Sequence, residues 1–206
     1  MKKALRTKIR GLSKGEFLRL KELAHHAKNL YNQSLWILQS AFELTGKYFS
    51  YPQMDKAMKP VENLEGKINY QLLKAKVSQQ ILRRLDKNFK SFFLATRDFN
   101  QNPSKYSGRL QPPRFKKNQY DNLIYDYQAF QIENDQIVLE TQPGNKLTIP
   151  LPKPLNGKMI KQIEIIAKPH YFIDLGLNNL ATGVTNGVIK PFIIDSRRIK
   201  SIPKWS

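Results

Sequence analysis

Cysteine is absent from all 206 residues, which removes disulfides, thiol catalysis and Cys-ligated zinc. Histidine is scarce. His25 and His26 are neighbours that cannot face one metal together from a helix, and His170 stands far along the chain, so no histidine metal site is expected. Long apolar runs are also missing: no stretch approaches the roughly 20 residues of a spanning helix. The opening "MKKALRTKIRGLS" starts positive but has no apolar region behind it, so no signal peptide is expected and a cytoplasmic location follows most simply.

Acidic side chains are the fourth shortage. Asp and Glu total 16 against 35 Lys and Arg, a formal charge of +19, which favours a polyanionic partner over an acidic-seeking or neutral one. The imbalance is local. Residues 1–120 hold 25 basic and 8 acidic side chains, a net +17, whereas residues 121–206 net only +2. With 40% hydrophobic residues the chain can still bury a core, so it is no disordered basic tail.

The periodicities predict an α+β chain. "LRTKIRGL" alternates like a short strand, and "SKGE" after it is a capping box, Ser13 with Glu16, that starts a helix. Phe17, Leu20, Ala24, Ala27, Tyr31, Leu35, Leu38 and Phe42 then recur at helical steps until Gly46. Pro52 and Pro60 limit any helix in the connecting piece to a couple of turns. A second long helix is expected from "YQLLKAKVSQQILRRLDKNFKSFFLATRDF", with Val77, Ile81, Leu85, Phe89 and Phe92 on one face and Lys76, Gln80, Arg83, Lys87 and Lys90 on the other. Residues 103–117 read as an irregular basic loop. From residue 121 to 170, short β-type runs are broken by Asn-Asp, Pro-Gly-Asn and Asn-Gly turn signals, the pattern of a small β-barrel. Two more β-type runs follow, with Asn186-Gly187 as a hairpin turn.

Three places carry candidate chemistry. Cations along one helix stripe can follow a phosphate backbone, although a solvated surface helix has the same composition. Gln79 and Gln80 beside it are either base readers or ordinary surface amides. "PPRFKK" offers Arg114, Lys116 and Lys117 around Phe115, which either stacks on a base or plugs the nearby core. In "YFIDLGLNNLATGVTNG", Asp174 sits between Ile173 and Leu175 and must point out of the core or be paired. A strand aspartate of this kind holds metal in RNase H-like nucleases, and an Asp-x-Gly turn contacts phosphate in actin-like ATPases. A two-metal site needs several converging carboxylates, and only Asp195 among the later residues is acidic.

Together, "AKVSQQILRRLDKNFKSFF", "QPPRFKK" and "IDLGLNNLATGVTNGVIKPFIIDSRRIKSI", with "GKYFSYPQM" before them, resemble the N-terminal half of the TnpB family. These are transposon-encoded RNA-guided endonucleases, also described as insertion-sequence transposases and related to type V CRISPR effectors. The resemblance implies a split β-barrel wedge with an inserted helical recognition domain, followed by the first strands of a RuvC-type, RNase H-like domain. The implied division is 1–12 for the first barrel strand, 13–102 for the helical domain, 103–170 for the rest of the barrel and 171–206 for the RuvC-like segment.

Guide RNA and double-stranded DNA are the implied partners, with no membrane. Tyr51, Lys76 and Gln79 look like readers of the motif flanking the target, and Asp174 like the first of three nuclease carboxylates that hold Mg2+. The family's further glutamate, second aspartate and cysteine-ligated zinc ribbon have no counterpart here, so no zinc is expected and the metal site is incomplete. The chain is therefore expected to be a truncated form without nuclease activity of its own. The alternatives are a nuclease-dead RNA-guided binder that represses or competes with intact relatives, and an actin-like ATPase fragment.

Overall fold

The computed structural model describes the backbone of residues 5–142, 144–166, 171–174, 179–185 and 192–195, and side chains up to residue 166 apart from 142. It divides into two compact units, Met1–Ala167 and Lys168–Ser206.

The first unit is built on three helices. α1, Lys14–Thr45, starts where the capping box predicts: the Ser13 N–H donates to Glu16 Oε2 at 2.7 Å and the Glu16 N–H to Ser13 Oγ at 3.2 Å. It stops at Gly46, whose φ of 66° is the left-handed conformation that a Cβ disfavours. The helix is 32 residues long, about 48 Å. α2, Tyr51–Met58, is the short helix the prolines allow, and α3, Ala75–Gln101, is the second long one. Leu23, Leu30, Leu35, Ile81 and Leu85 are fully buried between α1 and α3, and Met54 and Met58 close the end beneath α2. Each such side chain contributes roughly 1.5–3 kcal/mol by leaving water, so this layer dominates the unit's stability.

The β part shares that core. β1 (Leu123–Asp126) pairs antiparallel with β5 (Gln162–Ile165), and β2 (Phe130–Glu133), β3 (Gln136–Gln142) and β4 (Asn145–Pro150) form an antiparallel meander. Leu123, Ile124 and Tyr125 are buried in succession, because β1 is covered on both faces and packs against α3. Burial pushes the Tyr125 hydroxyl up to about 12. The turn signals are realised: Asn134 and Asp135 have φ of 49° and 56° between β2 and β3, and Gly144 and Gly157 are also left-handed.

One expectation is met in part and another is corrected. Of the expected split β-barrel, the described residues of this unit form two small separate antiparallel sheets and not a closed barrel. Closure needs a continuous ladder, and Pro150 at the end of β4, with Pro152 and Pro154 in the connection toward β5 beside a 3-10 turn at Lys153–Leu155, cannot donate to one. "LRTKIRGL" is not a strand over its described residues 5–10, and Leu5 is 48% exposed. Alternation alone does not make a strand when no edge is offered to pair with it.

In the second unit β6 (Tyr171–Asp174), β7 (Asn179–Thr185) and β8 (Phe192–Asp195) form an antiparallel meander, Asp174 opposite Thr182. The Asn186-Gly187 turn and the Asp174 side chain lie outside the described residues. The chain is thus a mixed α/β protein with small antiparallel sheets. No helix among the described residues is long and apolar enough to cross a membrane.

Candidate nucleic-acid interface

The predicted basic stripe of α3 exists in sequence order but is divided by what packs around it. At its first turns Lys76 Nζ donates to Gln128 Oε1 at 2.6 Å and Gln80 Nε2 to Asp126 Oδ2 at 2.9 Å, so they reach the turn after β1 and the end of β1 itself. One turn on, the Arg83 guanidinium lies 4.8 Å from the Tyr51 ring. Lys90 pairs with Asp86 one turn back at 2.7 Å. Lys87 is exposed with no acidic partner among the described residues. Helical periodicity saw one helix alone and could not show that β1 would cover part of its polar side.

Tyr51 and Gln79 do come together with Arg83, where α2 meets α3. The Tyr70 hydroxyl donates to Asp55 Oδ1 at 2.7 Å and is also in hydrogen-bond contact with Gln79, while Lys59 pairs with Asp55 at 3.0 Å. Burial, more than the neighbouring carboxylate, holds the Tyr70 hydroxyl well above its ordinary range, so it stays a donor. Lys76 belongs to the β1 side and is not part of this cluster.

The proline loop is anchored more firmly than its composition suggests. Asn32 on α1 bonds Lys116 twice, its Nδ2 donating to the Lys116 carbonyl at 3.1 Å and its Oδ1 accepting from the Lys116 N–H at 2.8 Å. Asp121, 4% exposed, accepts from Arg84 and from Lys116 Nζ, the latter at 2.9 Å. Both cations also approach the Tyr31 ring, Arg84 at 5.6 Å and Lys116 at 4.8 Å from its centroid. A buried carboxylate requires such partners. Lys116 is therefore held in the fold by Asp121 and the Tyr31 ring, whereas Arg114, bonded to Gln111 at 2.7 Å, and Lys117 are exposed. Phe115 is 47% exposed and does not plug the core. Sequence reasoning missed Arg84, Tyr31 and Asp121; the two helix residues could be seen as polar groups beside apolar ones, but Asp121, two residues before β1, gave no sign of its partners.

Between the polar side of α3 and this loop lies an open cleft of about 450 Å³, with Tyr31 and Phe92 in its walls and Asn88, Ser91, Gln111 and Arg114 supplying polar groups. Among the described residues no three His, Asp or Glu side chains converge to hold a metal. The Mg2+ site expected at Asp174 falls on a side chain outside the described residues, and no step through a metal is assigned.

No family model and no curated protein matches the chain. Among solved structures, one similar chain is described as "Cryo-EM structure of the Cas12f1-sgRNA-target DNA complex"; the match covers 90% of this chain and 54% of that one, at 12% identity and a TM-score of 0.30. The chain thus spans about half the length of that protein.

Proposed function

We propose that the chain is the nucleic-acid-binding part of an RNA-guided, DNA-targeting protein of the TnpB kind, holding guide RNA and double-stranded DNA on its basic N-terminal region. The observation that carries the reading is the net +17 of residues 1–120, with Lys47, Lys87, Arg97, Arg109 and Lys117 exposed and without acidic partners among the described residues. A folded core that leaves this many cations uncompensated repels itself, and a phosphate backbone relieves that repulsion by releasing counterions. The clustered Tyr51, Gln79 and Arg83 are the proposed readers of a duplex flank, because an amide and a guanidinium are the groups that pair with base edges.

Binding of guide RNA and of duplex DNA, measured by fluorescence anisotropy across a salt series, tests the proposal. Affinity is expected to fall steeply, with a log–log slope of about −4 to −6 if five or six phosphates are contacted. RNA is expected to co-purify with the chain. No binding at low salt, or binding indifferent to salt, would overturn the proposal.

A further inference from the structure

Beside the polar cleft lies a second, drier one of about 180 Å³, and the two share Phe92 and Pro112. Phe42 at the end of α1, Tyr48 just after it, and Phe89 and Phe93 of α3 make the rest of its aromatic wall. The rings support one another: Tyr48 stands edge-on to Phe93 at 5.3 Å and packs on Phe89 at 5.6 Å, and Phe92 meets Phe93 at 5.8 Å. The wall is held from outside as well, since the Tyr48 hydroxyl donates to Asp86 Oδ1 at 2.9 Å and Lys90 closes on the same carboxylate. Even so, Phe42 and Phe93 are 50% and 41% exposed. Aromatic faces left in water beside a polar cleft that Arg114 edges offer a slot for a ligand.

We propose that this slot takes an unpaired base of single-stranded RNA, whose backbone runs through the adjoining polar cleft past Arg114. The inference rests on the nucleic-acid reading above and specifies the ligand at one place on that surface. Three features point to a base. The volume equals about six water molecules, enough for one flat heterocycle and too small for a helix of a partner protein. Five of the eight lining residues are aromatic, and on such rings any base can stack. The adjoining polar cleft, which shares Phe92 and Pro112 with the slot, carries the Arg114 guanidinium that the attached phosphate needs. Asn88, Ser91 and Gln111 in that cleft supply amide and hydroxyl groups for a ribose 2′-hydroxyl, which selects RNA over DNA.

The test compares the full chain with oligoadenylate RNA, the same sequence as DNA, and an abasic oligomer of equal length and charge. The RNA should bind several-fold more tightly than either control. Phe93→Ala and Phe42→Ala should each weaken RNA binding about 5- to 100-fold while leaving the abasic oligomer unaffected. Phe93→Leu, which keeps apolar volume without a ring face, guards against a folding artefact: it should melt like the wild type and lose the preference for bases, and Phe93→Trp should keep it. Equal binding of RNA and the abasic oligomer overturns the slot but leaves the phosphate-binding surface standing; failure of all three to bind removes both. Equal or tighter binding of DNA overturns the assignment to RNA. A dimer in light scattering that Phe42→Ala dissociates, with RNA binding unchanged, puts a second copy of the chain in the slot and also overturns it.

Discussion

Tyr31 lies between two cations that one buried carboxylate, Asp121, also holds, and this group fixes where the basic loop leaves the helices. Removing the carboxylate leaves Arg84 and Lys116 facing each other without compensation. Asp121→Ala is expected to cost about 3 kcal/mol in urea unfolding, and Asp121→Asn less, because the amide still accepts one hydrogen bond. A second acid makes a pH-dependent clasp. Asp98 accepts from Lys105, Tyr106 and Asn102, and these bonds, Lys105 first, lower its pKa from 3.8 to about 2. Because the folded value is the lower one, the clasp's contribution is full above 3.8 and is lost as pH falls through about 2. Acid titration followed by the ring signals of Tyr106 and Phe99, which pack at 5.5 Å, should show the turn at Pro103–Lys105 releasing in that window. Asp98→Asn should abolish the step.

At the scale of elements, the two long helices were legible because their signals are local. Ser13 with Glu16, the apolar steps of α1 and the glycine that ends it need no partner to be read. The hairpin of β2 and β3 was legible for the same reason, Asn134 and Asp135 being suited to positive φ. What the second helix does with its polar side was not legible, since Gln128, Asp126 and Asp121 arrive from residues far along the chain. This division predicts unequal roles within one stripe. Lys87→Ala should weaken binding about equally for all nucleic-acid sequences and reduce the salt slope by about one. Lys76→Ala should change that slope less and lower the melting temperature more, because its ammonium bridges to the β1–β2 turn. Equal effects on the slope would show that the Gln128 bond yields to phosphate.

For the whole molecule, the charge asymmetry could be counted from the sequence, but the expected barrel could not be verified from it. Runs with β character specify strands; whether their ladders join depends on the donors available, and Pro150 at the end of β4 with Pro152 and Pro154 after it supply none. Asp174 was legible as a strand residue and is placed in β6. Its proposed role as a nuclease ligand is a separate matter, because a two-metal site requires several carboxylates and the segment from 171 to 206 carries only Asp195 besides. The 206-residue chain, loaded with guide RNA and Mg2+, is therefore expected to retard a supercoiled target plasmid on a gel without nicking it. Asp174→Ala should leave that retardation unchanged; cleavage lost in this variant would show a working site.

The pair of hydrogen bonds between Asn32 and Lys116 joins residues 84 positions apart. On the ribosome, at about 5–20 residues per second, the long first helix would wait roughly 4–17 seconds before the loop that covers its polar shoulder is synthesised. Its Tyr31 ring and the Ala24 carbonyl, which later accepts from the Asp121 N–H at 2.9 Å, stay uncovered for that interval. The nascent chain is thus most vulnerable to proteases while its first half is already helical, and slowing translation downstream of residue 90 should lower the yield of folded protein more than slowing it upstream.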